Sequence, residues 1–107
     1  MKIEKLDRMK RGWFIGNFEP TLSKTNDVEI AVKKYKKGDN EKKHYHKQAT
    51  EFTVLVLGKV QMNGKVLQEG DIAIIEPNET TDFVVLEDST TVVVKKPGSN
   101  NDKYYSE

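Results

Sequence analysis

The segment GDNEKKHYHKQATEFTVLVLG, residues 38–58, contains both histidines of this 107-residue chain. His44 and His46 are separated by one residue, and Glu51 follows five residues after His46. The second half of the segment, EFTVLVL, is rich in β-branched and apolar residues and predicts a central, buried strand. Because alternate residues of a strand point to the same side, we expect the two imidazoles to project side by side, with Tyr45 on the opposite face.

Two neighbouring imidazoles and a carboxylate form a donor set suited to a divalent metal ion. Metal–imidazole bonds are about 2.0–2.1 Å long, so side chains that project from one face can converge on one ion. Two histidines and one carboxylate leave further coordination positions for water or substrate, which suits Fe(II) and tolerates Mn, Co, Ni or Zn. We therefore predict His44, His46 and Glu51 as metal ligands.

Alternation with period two continues along the rest of the chain and predicts an all-β fold. About eight short strands, with turns at regular intervals and only a weak helical tendency in the first dozen residues, indicate a small jelly-roll barrel or sandwich of antiparallel strands. Asn63-Gly64 predicts a β-hairpin. Other strands are expected at GWFIGNF (12–18), VEIAVKKYK (28–36) and EGDIAIIEP (69–77), and as two pieces of DFVVLEDSTTVVVKKPG (82–98) around a turn at 87–89.

Composition excludes several classes of function. The 18 basic and 17 acidic residues give a net charge of +1, without the basic excess of nucleic-acid-binding proteins, so no nucleic-acid partner is expected. A lysine-rich stretch from 33 to 47 could attract an anion, such as a phosphorylated ligand, but it is interpreted as a solvated strand face. The absence of cysteine excludes disulfides, thiolate metal sites and thiol nucleophiles. No signal-peptide core or membrane-spanning run is present, so we expect a cytoplasmic protein without a membrane partner.

The length of the chain is typical of one domain, predicted to span residues 1–107. Residues 1–11 are expected to form an N-terminal arm. Residues 98–107, GSNNDKYYSE, are expected to form a polar and partly mobile tail, in which Tyr104 and Tyr105 can pack.

The segment 38–58 resembles the first sequence motif of the cupin superfamily. That motif consists of a glycine, His-x-His, a glutamate and a second glycine, with the spacing of Gly38, His44, His46, Glu51 and Gly58 here. The resemblance implies the small jelly-roll barrel of the cupins. It also implies metal binding, because the residues that match the two histidines and the glutamate are the ligands in metal-binding cupins.

The second cupin motif is only partly present. Gly70-Asp71 and an apolar strand are followed by Pro77-Asn78 where cupins have Pro-Gly, and Asn tolerates the positive φ of such a turn. Thr81 stands where the family supplies a histidine as fourth ligand, and it is a poor metal ligand. Asp82 is a better ligand, but strand parity points it to the opposite face. Thr81, Asp82 and water are therefore alternatives for the fourth position.

Four functions fit these residues. One is a metal-dependent cupin that acts on a small metabolite as an oxygenase or an isomerase/epimerase. A second is metal-free: HYHK is similar to the pattern of some sugar-nucleotide ketoisomerases of the cupin fold, in which His44 and His46 would be the catalytic acid and base. A third is a non-catalytic module that binds or sequesters a small molecule. In the fourth, the histidines and Glu51 form an internal hydrogen-bonded network. Whether the protein is an enzyme stays open.

A ligand pocket is predicted from strand parity with the histidine pair and Thr81. Its walls are expected to include Tyr35, Thr53, Thr81 and Phe83, and the expected partner is a small-molecule ligand or substrate. Leu55 and Val85 share this parity, but each is more typical of ordinary core.

A homodimer is implied by the resemblance to small cupins, many of which pair an N-terminal strand with a partner subunit. The aromatic residues Trp13, Phe14 and Phe18 are the expected interface residues, because aromatic side chains are enriched at such surfaces.

Overall fold

The computed structural model describes residues 1–98 and 101–106. These residues form one short 3₁₀ helix, Leu6–Arg8, and eight strands that pair only in antiparallel fashion. The strands are β1 Trp13–Ile15, β2 Glu29–Tyr35, β3 Asn40–Tyr45, β4 Thr50–Met62, β5 Lys65–Leu67, β6 Ile72–Ile75, β7 Thr81–Lys96 and β8 Tyr104–Tyr105. The prediction of an all-β jelly roll of about eight antiparallel strands is confirmed. Within the same residues, no helix has the length and hydropathy needed to cross a bilayer.

The long strands β4 and β7 organise the sheet. They pair with each other along most of their length, while β2 and β3 pair with β7, and β5 and β6 pair with β4. The strands β1 and β8 extend the sheet beyond β2 and β3. The inner side carries the hydrophobic core, which includes Leu55, Val60, Phe83 and Val85. The predicted hairpin at Asn63-Gly64 joins β4 to β5.

The strand β7 runs without interruption from Thr81 to Lys96, so the predicted turn at 87–89 is wrong. The chain bends at this point instead, where its register with β4 shifts. The hydroxyl of Ser89 donates to the carbonyl of Glu87 at 2.6 Å and accepts the N–H of Lys59 at 3.1 Å. Through these bonds Ser89 stabilises an irregularity in a continuous strand, as at a β-bulge, rather than a chain reversal.

The segment EFTVLVL is central in the sheet but is buried on one side only. Thr53 and Leu55 are buried, whereas Val56 and Leu57 are 45% and 56% exposed, so the prediction of a wholly buried strand is wrong. Two further exposed aliphatic residues, Ile72 and Ile74 on β6, pair with Val54 and Phe52 of β4. We call this surface the outer apolar face; it consists of Phe52, Val54, Val56, Ile72 and Ile74.

The C-terminal residues pack against the barrel rather than extending from it. The strand β8 pairs with the end of β3, and the ring of Tyr104 stacks on that of Tyr45 at 5.5 Å. Asp102 is buried. Residues 101–106 of the predicted tail are therefore packed against the barrel, contrary to the expectation from their polar composition. Ser99, Asn100 and Glu107 of the predicted tail lie outside the described residues.

Gly58 lies at the bend of β4, in a conformation and position that exclude other residues. Its φ is 96°, and a Cβ atom there would overlap the Ser89 hydroxyl and the Asp88 carbonyl of β7. We predict that Gly58→Ala lowers the free energy of unfolding by more than about 2 kcal/mol, because the backbone of β7 must move away from β4. Urea unfolding of the variant and the wild type measures this difference.

Gly38→Ala is the matched control. Gly38 has a φ of 94°, but nothing lies within 4 Å of the Cβ position, so this variant has the conformational cost of about 1–2 kcal/mol without the overlap. Equal losses in the two variants would contradict a steric role for Gly58.

Candidate functional site

The end of β3 brings the two histidines side by side inside the barrel. His44 is on the strand and His46 lies one residue beyond it, and they are 4% and 3% exposed. Their ring centroids are 5.5 Å apart and their planes are nearly perpendicular, at 82°. Tyr45 turns to the other side, where it meets Tyr104. The structure thus has the arrangement that strand parity indicates.

Backbone carbonyls determine which nitrogen of each imidazole carries the proton. Nδ1 of His44 lies 2.8 Å from the carbonyl oxygen of Lys42, and Nδ1 of His46 lies 2.7 Å from that of Asp102. A carbonyl oxygen can only accept, so Nδ1 is the protonated nitrogen in both rings. In the neutral rings, Nε2 therefore keeps its lone pair. Metal-binding histidines commonly have this tautomer, with the Nδ1–H group held by a carbonyl or carboxylate.

The Nε2 atom of His46 is buried and has no hydrogen-bond partner among the described residues. Oε1 of Glu51 lies 3.7 Å away, which is too long for a hydrogen bond. The other oxygen of this carboxylate accepts the hydroxyl of Thr53 at 3.2 Å. A buried lone pair beside a carboxylate is unfavourable unless a proton or a cation lies between them.

The three predicted metal ligands are close to one another but do not form a preassembled coordination shell. In residues 1–98 and 101–106, no group of three or more His, Asp or Glu side chains has the geometry to hold a metal ion. Donor chemistry, tautomer and burial nevertheless fit a cation at Nε2 of His46 and the carboxylate of Glu51. The residues therefore fit a metal ion chemically, and binding would require their side chains to adjust.

Burial and neighbouring charges act in opposite directions at this site. Burial raises the pKa of Glu51, but the imidazole of His46, the ammonium of Lys95 and His44 together hold it below its usual 4.5. Burial lowers the pKa of His44 and outweighs the hydrogen bond to Lys42, which raises it. At neutral pH the site therefore contains an ionised carboxylate and a neutral His44, the protonation states that metal binding requires.

The position of the missing fourth ligand is occupied by Thr81. It lies opposite His44 in the pairing of β3 with β7 and is buried, and its hydroxyl donates to the carbonyl of Asp82 at 2.9 Å. The carboxylate of Asp82 accepts the backbone N–H of Asn63 at 2.8 Å, and Asp82 does not line the cavity that Thr81 lines. Asp82 therefore faces away, as parity indicates, which leaves Thr81 and water as the alternatives.

Asn78 takes the place of the glycine in the second motif. Its φ is 69°, as expected for that turn. Its backbone N–H donates to the carbonyl of His46 at 2.6 Å. The turn of the second motif thus helps to hold a histidine of the first.

A cavity of about 1000 Å³ lies beside the histidines. Leu55 and Val85 belong to the core instead of the cavity wall. The rings of Tyr35 and Phe83 pack at 4.9 Å, and burial raises the pKa of Tyr35 so that its phenol stays neutral. All four predicted pocket residues line this cavity: Tyr35, Thr53, Thr81 and Phe83.

Several cavity residues were not predicted. Lys33, Thr91 and Lys95 reach the cavity from β2 and β7, and Trp13 reaches it from β1. The interpretation of the lysine-rich stretch as a solvated face is therefore wrong for Lys33. Strand parity permits this position, because Lys33 has the parity of the pocket residue Tyr35, but parity does not distinguish a cavity wall from a solvated face.

Asp102 holds the turn that carries His46, and sequence patterns did not indicate this. Its carboxylate accepts the backbone N–H groups of Lys47, Gln48 and Ala49 at 3.0–3.1 Å. Its own carbonyl accepts Nδ1–H of His46. One residue therefore connects the C-terminal segment to the turn and orients an imidazole. No local pattern predicts such contacts, since Lys47 and Asp102 are 55 positions apart.

We predict that Asp102→Ala lowers the free energy of unfolding by about 1–3 kcal/mol at pH 7, because three amide groups lose their acceptor. Burial raises the pKa of Asp102, but these amides and His46 lower it by more, below its usual 3.8. Since the pKa is lower in the folded state, the stabilisation is present above about pH 4 and is lost as the pH falls through the depressed pKa. Urea unfolding at a series of pH values should show the difference shrinking below about pH 4.

Asp88→Ala serves as the control for this prediction. The carboxylate of Asp88 accepts a single exposed N–H, that of Lys37, so a loss below about 1 kcal/mol is expected. A loss as large as that of Asp102→Ala, or an Asp102→Ala effect that is the same at all pH values, would contradict the assigned role.

Comparisons with known proteins identify the fold family. No protein-family model matches the chain, and no curated protein does. Among solved structures, an uncharacterized conserved protein with a double-stranded β-helix domain from Klebsiella pneumoniae subsp. pneumoniae MGH 78578 is 27% identical, over 78% of this chain and 73% of that one, with a TM-score of 0.70. An RmlC-like cupin from Shewanella frigidimarina NCIMB 400 is 21% identical, over 73% and 72% of the two chains, with a TM-score of 0.65.

The chain has the double-stranded β-helix, or cupin, fold of these neighbours, so the resemblance to cupins is confirmed at the level of the fold. The neighbours also include enzymes. The DMSP lyase DddQ from Ruegeria pomeroyi DSS-3 is 16% identical, over 96% of this chain and 55% of that one, with a TM-score of 0.72. At such identities the likeness concerns the fold, and a function has to be argued from the site.

Proposed function

We propose that this cupin binds a small molecule beside a divalent metal ion held by His44, His46 and Glu51. The observation that carries the proposal is the buried Nε2 of His46, which has no partner and lies 3.7 Å from a Glu51 oxygen. A metal ion would satisfy the lone pair and the carboxylate at once. The donor set suits Fe(II), Mn, Co, Ni or Zn.

The chain's own residues prepare this site for a cation. The carbonyls of Lys42 and Asp102 hold both imidazoles with Nε2 free to bind, and the hydroxyl of Thr53 orients the carboxylate. A bound metal supplies Lewis acidity and open coordination positions. Because Thr81 replaces a fourth strong ligand, more of those positions are left to water or to the bound molecule.

The proposed activity is isomerisation, epimerisation or oxygenation of a small metabolite bound in the cavity. The cavity adjoins the histidines and has both polar and aromatic walls, as binding sites for small molecules do. The existence of an enzyme with this fold, the DMSP lyase, is consistent with a catalytic role. If the cavity instead binds a molecule and releases it unchanged, the protein is a sequestering module.

A second candidate function is metal-free acid–base catalysis, and one observation favours it. A proton on Nε2 of His46 would form an ion pair with Glu51 at 3.7 Å, while the neighbouring His44 stays neutral because burial lowers its pKa. The histidine pair would then offer one acid and one base, as sugar-nucleotide ketoisomerisation requires.

We predict that protein purified without chelators contains about one equivalent of metal. We also predict that His46→Ala and Glu51→Gln each weaken the binding of Mn²⁺ at least about tenfold, because each removes a strong donor. Elemental analysis measures the metal content, and calorimetric titration of EDTA-treated protein measures affinity. Glu41→Gln is the matched control, since Glu41 lines the cavity but is outside the ligand set.

Metal-free protein that keeps full activity in EDTA, and fails to take up Mn²⁺, would contradict the metal proposal and favour the acid–base alternative. Equal loss of Mn²⁺ affinity in Glu41→Gln and Glu51→Gln would also contradict the assigned ligand set. A molecule released unchanged on denaturation, without turnover, would support the sequestering role.

We further propose a homodimer, with a second copy of the chain covering the outer apolar face. The aromatic residues expected at the interface, Trp13, Phe14 and Phe18, are all half-buried within one protomer. Ile72 and Ile74 are more exposed, and the five residues of the outer apolar face are all uncharged. An uncharged face can pack against its own copy about a two-fold axis without like-charge repulsion.

We predict that Ile74→Lys converts the dimer to a monomer, because it places two like charges in the apolar interface. Light scattering after size-exclusion chromatography measures the mass. Leu22→Lys is the control, since Leu22 is similarly exposed but lies outside the outer apolar face. A monomeric wild type, or an undisturbed Ile74→Lys dimer, would contradict the proposal.

A further inference from the structure

We propose that the cavity contains an anion-binding subsite, formed by Lys33 and Thr91, that binds the carboxylate of a small-molecule ligand. The inference rests on the proposed binding function, because it names the chemical class of the bound molecule. It does not depend on the metal, because Lys33 and Thr91 lie outside the predicted ligand set. The two parts of the site can therefore be tested separately.

The first observation is an unsatisfied hydroxyl group. Thr91 is 0% exposed, and its Oγ1 has no hydrogen-bond partner among the described residues. In the part of the chain that the structure describes, Nε2 of His46 is the other buried side-chain atom in this condition, and both residues line the same cavity. Buried polar atoms without partners are rare and unfavourable. A bound group would satisfy either atom once neighbouring side chains move aside to admit it, since neither atom is accessible to solvent in this structure.

The second observation is the position of Lys33. It lies directly opposite Thr91 in the pairing of β2 with β7 and lines the cavity. Ion pairs within 4.0 Å among the described residues involve Lys24, Lys59 and His46, so Lys33 has no direct counter-ion of this kind. Burial lowers the pKa of Lys33, which reflects the cost of keeping an ammonium away from water. An anion beside it would offset that cost.

Neighbouring charges around Lys33 leave an excess of positive charge. Arg11, Lys95 and Lys103 lie near enough to lower the pKa of Lys33, while the carboxylate of Glu41 raises it. Three cations and one carboxylate thus act on the ammonium group. These charges favour an anion beside the Lys33 ammonium, in a cavity whose wall as a whole carries seven carboxylates and six cationic side chains.

The ring of Trp13 contacts both the Lys33 ammonium and that of Lys95. Nζ of Lys33 is 5.2 Å and Nζ of Lys95 is 4.9 Å from its ring centroid. Lys95 is also paired across strands with Glu29 and Glu51, both carboxylates. The positive charge of Lys95 therefore acts partly on the predicted metal site, whereas the cross-strand neighbour of Lys33 is the uncharged Thr91.

The donors favour a carboxylate over a phosphate. One ammonium and one hydroxyl on neighbouring strands match the two oxygens of a carboxylate. Phosphate sites are more often built from several backbone N–H groups or arginines, and the backbone groups of Lys33 and Thr91 lie within paired strands. We therefore assign the subsite to a carboxylate-bearing molecule whose other end reaches the histidines.

Trp13, the only tryptophan of the chain, is a built-in reporter of this subsite. EDTA-treated protein is titrated at constant ionic strength with succinate, and in parallel with succinamide and inorganic phosphate. Succinate should cause a saturable change in tryptophan emission, with the same dissociation constant by calorimetry, and its uncharged diamide should cause none. Equal binding of the diamide, or no succinate binding by either method, would overturn the inference.

Two variants test the assigned residues. Lys33→Gln should raise the dissociation constant of succinate at least about tenfold, because it removes the charged donor. Thr91→Val should also weaken binding, yet unfold at the same urea concentration as the wild type or a higher one, since the lost hydroxyl has no partner in the protein. The control Lys36→Gln makes the same change in net charge at an exposed position outside the cavity wall.

The outcomes separate this inference from the metal proposal. Equal affinities in Lys33→Gln and Lys36→Gln would overturn the subsite, and a Lys33-dependent preference for phosphate over succinate would overturn its assignment to a carboxylate. Succinate binding that persists in His46→Ala, where metal uptake is tested separately, would support a subsite independent of the metal. The succinate titration uses metal-free protein. A failure to bind metal would therefore contradict the metal proposal only, and the succinate result would still decide the subsite.

Discussion

The antiparallel pairing of β4 with β7 fixes the positions of the other strands and of the site. Four of the other strands pair directly with β4 or β7. The two long strands change register where Gly58 of β4 meets Ser89 of β7, and a Cβ atom at position 58 would overlap β7. The pairing also sets which side chains face inward. Glu51 lies opposite Lys95 on this face, and a slip of one residue would turn the carboxylate outward. The position of the site is thus a consequence of register.

The site is held in place by hydrogen bonds, yet two of its buried side-chain atoms have no hydrogen-bond partner among the described residues. Carbonyl groups and the Asp102 carboxylate hold the turn and the imidazole rings in place, while Nε2 of His46 and Oγ1 of Thr91 stay without partners. Buried polar groups left unsatisfied reduce stability, and such features concentrate at functional sites. A cation at one atom and an anion near the other would remove both deficits. The two proposals therefore describe one cavity with two electrostatically different ends.

Local patterns predicted much of the site because its main residues are close in sequence. His44 and His46 share one strand end and Glu51 begins the next, so parity and a short connection suffice. The same alternation placed Tyr35, Thr53, Thr81 and Phe83 in the cavity wall. It was less successful at residues 87–89, where turn-forming residues bend a continuous strand. Whether such residues reverse or bend a chain depends on the strand that pairs with them, here β4.

The strand class of the fold and the face on which the histidines lie follow from local sequence, since side-chain alternation is a property of the local backbone. The contacts of Asp102 with the turn of His46, and the shared cavity of Lys33, Thr91 and Trp13, arise from tertiary packing. These contacts join residues that are far apart in the chain, so no local pattern predicts them. The burial of a strand side chain likewise depends on which other element covers that face of the sheet. A lysine on a strand has the same local pattern whether water or a cavity wall lies above it.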